Sequence, residues 1–326
     1  MSAVIGQRSG GPYTRISGLG HYRPKRVVTN ADLATLFDTN DEWAKSRVGI
    51  AERRFAGDQE SVAWMGAEAG RLAMADAGIA AGDIDTVIVA TCTLPTQIPH
   101  ASTQVAGALG IQAPGSFDIN AACAGFCYGL ATASALIRSG DAGTVLLVGA
   151  ERLTDWVDPT DRANAIIFAD GAGAAVVTDS PTPDIGPVAW GCSTENTDAI
   201  YISDRESFVV QEGQTVFRWA TTAIAPVAIE AACRAGVDLA DIDVLAPHQA
   251  NLRIVEAIAK KVISAGGRPD LAVIKDIVTT GNTSSASIPI GLDRARQAGE
   301  VKSGDLVLAV GFGAGLTYGA QVFRLP

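Results

Sequence analysis

The feature that most limits what this chain can fold into is that it repeats itself once. AGIAAGDIDTVIVATCT at 77–93 is echoed by AGVDLADIDVLAPHQA at 235–250: a helix end, Ala-Gly, a short loop with Asp-Ile-Asp, then a strand. SGDAGTVLLVGAE at 139–151 is echoed by SGDLVLAVGFGAG at 303–315. Both echoes keep the same order at an offset of about 160 residues. A solenoid needs at least three short repeats, so two long copies indicate a pseudo-twofold pair.

Each copy reads as α/β. TVIVA, TVLLVGA, GAAVVT and LVLAVG are apolar runs of strand length, and they alternate with Ala-rich helical stretches such as SVAWMGAEAGRLAMADAG and TTAIAPVAIEAACRAG. A glycine stops each of those helices at the position just past its end. The polar, irregular stretch 180–215 reads as the connection, which divides the chain into halves at 13–182 and 183–326. Ligands of open α/β sheets sit beyond the carboxyl ends of strands. If the halves pack face to face, such loops meet at their interface.

Charge and composition exclude several classes. With 35 acidic against 25 basic residues the chain carries a net charge of −10, which disfavours a nucleic-acid partner. The opening MSAVIGQRSGGPYTR has no apolar core of a secretion signal, and runs such as TVLLVGA are too short to span a membrane. Five scattered cysteines do not form a disulfide framework, so a reducing cytoplasm is the expected compartment. The glycine runs ADGAGAA and GFGAGL lack the lysine of a phosphate loop and read as close backbone packing.

The chemistry concentrates in DINAACAGFCYGL, residues 118–130. Cys123 and Cys127 have no second pair for a structural metal site and do not have the Cys-x-x-Cys spacing of a redox pair, so no metal is expected. Cys123 falls at a strand-to-helix turn among small residues, where the helix N-terminus is expected to favour a thiolate and lower its pKa below about 8.5. Cys127, one turn further on, reads as packing inside the helix. Of the three histidines, His21 reads as a turn residue and His100 as one near a helix start. His248, in LAPHQANLR directly after a strand, is the best candidate partner. Asn282, in TTGNTSSASIP, is by itself an ordinary turn signal.

Taken together, DINAACAGFCYGL, DPTDRANAIIFADGAGAAVV, PHQANLRI, GNTSSASIP and GFGAGLTYGA resemble, in order, the β-ketoacyl-acyl-carrier-protein synthases of type III in the thiolase superfamily. The resemblance runs from about residue 13 to the C-terminus. It implies a thiolase-like fold, with two duplicated α/β halves in αβαβα layers. It implies Cys123 as nucleophile with His248 and Asn282 as its partners, in a ping-pong reaction. An acyl-CoA would acylate Cys123; a malonyl thioester on acyl-carrier protein would then lose CO₂, and its enolate would attack the acyl-enzyme. The backbone N–H groups of Cys123 and Ala314 would bind the tetrahedral oxyanion.

By the same resemblance the CoA site comprises Thr39, Trp43, Arg47, Arg162, Asn251 and Arg253, with adenine stacked between Trp43 and Arg162. The acyl pocket comprises Ile167, Phe168, Phe217 and Phe312, and Ile98 falls where the family reaches across a homodimer into the partner's pocket. Arg253, Lys260 and Lys261 recur on one helix as a docking strip for an acidic carrier protein. CoA thioesters enter as substrates, and no separate cofactor is implied. Two other functions share parts of this pattern: an acyltransferase of secondary metabolism that does not condense, and a papain-like hydrolase with Cys, His and Asn in that order. The hydrolase's signature around its cysteine is absent.

Overall fold

The structure, a computed structural model, describes residues 10–326. Most of the N-terminal stretch read above for a secretion signal lies outside the described residues.

The two copies build two sheets of the same design. In the first, the order is Gly115–Ile119, Thr86–Ala90, Thr144–Arg152, Asp170–Ser180, Tyr13–Tyr22. In the second it is Ala272–Val273, Val244–Pro247, Leu306–Gly313, Thr317–Arg324, Ala189–Cys192. The first three strands of each run parallel and the last two antiparallel. The echoes seen in the sequence therefore fall on equivalent strands: Thr86–Ala90 on Val244–Pro247, and Thr144–Arg152 on Leu306–Gly313.

Layering follows from which faces are apolar. TVIVA is buried at every position, as expected for a parallel strand covered on both faces. Between the sheets lie the helices Gly125–Ser139 and Ser287–Gln297. Phe126, Leu130 and Ile137 of the first, and Ile288 and Leu292 of the second, share one core with Ile88 and Leu147 of one sheet and Ala246 and Val307 of the other. Each such large side chain contributes about 1.5–3 kcal/mol by leaving water. Outside, Val62–Ala77 and Ala101–Leu109 cover the first sheet, and Gly213–Ala235 and Leu252–Ser264 the second. The result is the αβαβα layering of the thiolase-like fold.

Helix ends follow local chemistry. Ser61 caps Val62–Ala77 by accepting from the Trp64 N–H, and Gly78 ends it in the left-handed conformation. By length and apolarity alone the helix Gly213–Ala235 could cross a membrane. Its Ile224, Ala228, Ala231 and Ala232 pack on the second sheet instead, and its exposed side carries Arg218, Glu230 and Arg234.

The stretch 180–215 is more than a connection. Ala189–Cys192 is the edge strand of the second sheet, and Ile200–Tyr201 pairs with Val210–Gln211 as a small ribbon. These pieces are too short to show a strand period in sequence.

Candidate active site

The pseudo-twofold places two matched turns back to back at the interface of the sheets. In one, Asn120 follows its strand and its Oδ1 accepts from the Ala122 N–H at 3.2 Å. In the other, Asn282 Oδ1 accepts from the Ser284 N–H at 2.9 Å. The residue donating that bond has a left-handed backbone in both, φ 44° at Ala122 and φ 49° at Ser284, which costs a side-chain-bearing residue about 1–2 kcal/mol. Cys123 and Ser285 follow, then the two central helices. The strained turn lifts the Cys123 side chain out of the helix and towards a cavity.

That cavity measures about 480 Å³, and Cys123, His248 and Asn282 all line it. His248 directly follows Val244–Pro247, and its N–H continues the parallel ladder to Val310 O at 2.8 Å. Its Nδ1 lies 2.7 Å from Ser287 Oγ, which also accepts the Gln249 N–H at 3.3 Å. With no other acceptor for it among the described residues, the Ser287 proton goes to Nδ1. The ring therefore carries its own hydrogen on Nε2, the nitrogen left for the cavity. Burial holds the imidazole neutral, with its pKa pushed down to about 3, and Phe312 packs edge-on at 5.3 Å.

Asn282 is held from both sides. Its N–H donates to Ile167 O, and its carbonyl accepts from the Ala169 N–H, each at 2.9 Å. Since Oδ1 is taken by Ser284, the amide NH₂ is the end left to donate.

At the cysteine, burial works against the expected effect of the helix start. Burial pushes the Cys123 thiol up to about 12, and the nearby Glu151 carboxylate adds to the rise. The Ser284 hydroxyl and the residue's own N–H oppose it without prevailing. The long helix starts at Gly125, two residues on, and burial opposes the thiolate at Cys123. Burial thus favours the neutral thiol at this partly exposed position. Cys127 is 1% exposed and belongs to the central core.

Gly313 makes room for the sulfur. A Cβ built there would lie 2.8 Å from both Cys123 Cβ and Cys123 N, and 3.1 Å from Sγ. Its φ of −175° suits any residue, so space and not backbone freedom demands glycine. Gly313→Ala is expected to cost about 1–3 kcal/mol by overpacking. It should also slow acylation of Cys123 at least about 10²-fold by displacing the nucleophile. Thermal melts and acyl-enzyme formation rates measure the two effects separately. Ala314, the other expected oxyanion donor, lines the same cavity.

The remaining expected positions divide. Ile167, Phe168, Phe217 and Phe312 line the cavity, joined by Leu153, Trp156, Ile200 and Val209, which the sequence reading missed. Ile98 does not; it is 75% exposed, away from this chain's own cavity. Asn251 lines the cavity and its amide donates to Arg47 O at 3.1 Å. Arg47 and Arg162 stand 5.8 and 4.5 Å from the Trp43 ring. Thr39, close in sequence, has a buried hydroxyl without a partner among the described residues.

The expected adenine slot between Trp43 and Arg162 is closed. Two stacked layers need about 7 Å, and Arg162 instead covers the indole while donating to Asp38 O at 2.9 Å. Arg253 covers the Phe217 ring at 4.9 Å. With Lys260 and Lys261 it is exposed on Leu252–Ser264.

Comparison with known proteins agrees along the length of the chain. Residues 117–194 match the family described as 3-oxoacyl-[acyl-carrier-protein (ACP)] synthase III, and residues 233–325 match its C-terminal domain. The chain is 46% identical to a β-ketoacyl-[acyl-carrier-protein] synthase III of Streptomyces glaucescens, over 97% of this chain and 98% of that one. It is 47% identical to a mycobacterial β-ketoacyl-[acyl-carrier-protein] synthase III of Mycolicibacterium paratuberculosis, over 99% and 98%. Among solved structures, the priming β-ketosynthase of the R1128 polyketide biosynthetic pathway superposes with a TM-score of 0.94 at 39% identity, covering 98% of each chain. A 3-oxoacyl-[acyl-carrier-protein] synthase III of Aquifex aeolicus gives 0.91 at 38% identity, covering 96% and 100%.

Proposed function

This chain belongs to the β-ketoacyl-[acyl-carrier-protein] synthase III family of thiolase-like condensing enzymes, and from that premise we propose how its residues divide the reaction. Cys123 takes the acyl group from an acyl-CoA. A malonyl group on acyl-carrier protein then enters, and charge develops on its thioester oxygen as CO₂ leaves. The Nε2–H of His248 and the amide of Asn282 donate to that oxygen, and both suit the task because neither brings a net charge. The enolate carbon attacks the acyl carbonyl on Cys123, and the N–H groups of Cys123 and Ala314 receive the tetrahedral oxyanion. The released Cys123 sulfur recovers its proton and the cycle closes.

The observation that carries this reading is the convergence of the Cys123 thiol and two neutral donors, His248 and Asn282, on a single cavity. Papain-like hydrolysis falls with the family assignment. Transfer without condensation is separated by experiment: with acyl-CoA and malonyl-acyl-carrier protein supplied together, condensation yields CO₂ and a β-ketoacyl-carrier product in equal amounts. Transfer of the acyl group with no CO₂ would overturn the proposal.

The apolar wall of Leu153, Phe168 and Val209 suits an acyl chain, and the likeness to a priming ketosynthase favours a role in starting fatty-acid or polyketide chains. We extend the proposal to the CoA site at Trp43, Arg47, Arg162 and Asn251. There Arg162 must swing off the indole before adenine can stack. We extend it also to carrier docking on Arg253, Lys260 and Lys261, and to a homodimer that covers Ile98.

A further inference from the structure

Glu151 is a buried acid to which the reaction as described gives no task. It is 0% exposed, and no Lys, Arg or His partners it among the described residues. An unpaired buried carboxylate costs several kcal/mol, so its surroundings are informative. Oε2 accepts from Thr93 Oγ1 at 2.6 Å, and from Thr91 Oγ1 and the Cys92 N–H at 3.1 Å each. Oε1 accepts from Ser284 Oγ at 3.0 Å and Ser285 Oγ at 2.8 Å. Cys92 Sγ stands 3.5 Å from Oε1.

Two features of this shell stand out. The Ser285 hydroxyl also reaches Ala90 O at 2.9 Å. It can turn its proton there and accept from a protonated Glu151, so the shell accommodates both states of the acid. The Ser284 hydroxyl lies between Glu151 and the cavity, which it lines beside Cys123. The same hydroxyl also favours the Cys123 thiolate. The duplication sharpens the point: Glu151 occupies the place that Gly313 holds in the other half. One half leaves space against the nucleophile, and the other puts a carboxyl group there.

We propose that Ser284 and Glu151 form the route by which the Cys123 thiol gives up its proton during acylation. As the sulfur attacks the acyl carbonyl, the thiol proton passes to Ser284 Oγ while the Ser284 proton passes to Glu151 Oε1. A C–S bond forms, Ser284 remains a hydroxyl now donating towards Cys123, and Glu151 becomes the neutral acid. When the C–S bond to CoA breaks, the departing thiolate takes up one proton by the reverse path. Thiol plus thioester gives thioester plus thiol, and no proton is left over.

His248 is poorly placed for this task, since burial holds it near 3 and its cavity nitrogen already bears hydrogen. Burial raises Glu151 above the usual carboxylate range, which brings it closer to the thiol it would serve. The titratable groups facing Glu151 are Cys92 and Cys123; its other neighbours are the hydroxyls of Thr91, Thr93, Ser284 and Ser285. Ser284 lines the cavity with Cys123, its hydroxyl 3.8 Å from Cys92 Sγ, and Glu151 acts through it.

The inference rests on Cys123 being the nucleophile, and its test needs no knowledge of the starter. Iodoacetamide alkylation of Cys123, followed by peptide mass spectrometry, is measured from about pH 6 to about pH 9. In the unmodified enzyme the rate should be nearly flat, because the proton only moves within the pair. In Glu151→Gln the proton must leave for solvent, so the rate should climb about tenfold per pH unit and lie about 10²-fold lower at neutral pH. Ser284→Ala should behave alike while keeping the backbone N–H that Asn282 accepts, so it serves where Glu151→Gln folds poorly.

A static carboxylate predicts the opposite sign, because its charge opposes the thiolate and its removal should speed alkylation. Either variant reacting at the parent rate or faster, with an unchanged pH profile, would overturn the relay. A Cys123 that stays unmodified in the parent while other cysteines react would overturn the nucleophile assignment itself.

Discussion

Cys123→Ala is expected to abolish acyl-enzyme formation, a loss of at least about 10⁴-fold, because Cys123 is the group assigned to carry the covalent intermediate. The control is close in sequence: Cys127 lies four residues on, in the helix that begins at Gly125. It is 1% exposed and packs in the core between the sheets. Cys127→Ala should therefore cost about 1 kcal/mol of stability and leave the acylation rate within about threefold. The substitutions remove the same atom from neighbouring sites and should differ by orders of magnitude in one assay. Equal losses would show that the assignment of Cys123 is wrong.

The second large effect belongs to the other half of the molecule. His248→Ala and Asn282→Ala should each lower malonyl decarboxylation about 10²–10³-fold, the usual worth of one preorganised donor. Acyl transfer from acyl-CoA should survive much better. Asn282→Asp is the sharper probe, because it keeps the Oδ1 acceptor for the Ser284 N–H while replacing the donating NH₂ with an oxygen. If the turn geometry were all that mattered, Asp would be tolerated; if donation matters, it should fail as badly as Ala. Decarboxylation rates measured on pre-acylated enzyme decide between them. The double variant should lose less than the product of the single losses, because both donors serve one oxygen.

Much of this architecture was legible in the sequence because duplication is written in local patterns. The paired strand echoes and the glycines that end helices needed no tertiary information. The strand-to-helix turn at Cys123 and the strand end at His248 were equally visible. What stayed hidden depends on what the folded chain brings together. The field of a helix N-terminus can be read from a sequence, but the desolvation that opposes it at Cys123 comes from elements far along the chain. Trp43 and Arg162 were recognisable as flat partners, yet only coordinates show the guanidinium resting on the indole and closing the gap. Ile200 lies in a two-residue strand, and Val209 directly before another, both too short to register as periodic. Glu151 ended one of the echoes in plain view. Its counterpart at Gly313 marks it as different, but the meaning appears only when Ser284 arrives from the other half.

Intact-protein mass spectrometry after incubation with a panel of acyl-CoAs, with the modified peptide then sequenced, tests the central claim most directly. The account predicts one acyl group per chain, carried as a thioester on Cys123 and discharged when malonyl-acyl-carrier protein is added. An unacylated chain across the panel, or an acyl group resting on Cys92 or another residue and indifferent to the malonyl substrate, would contradict it.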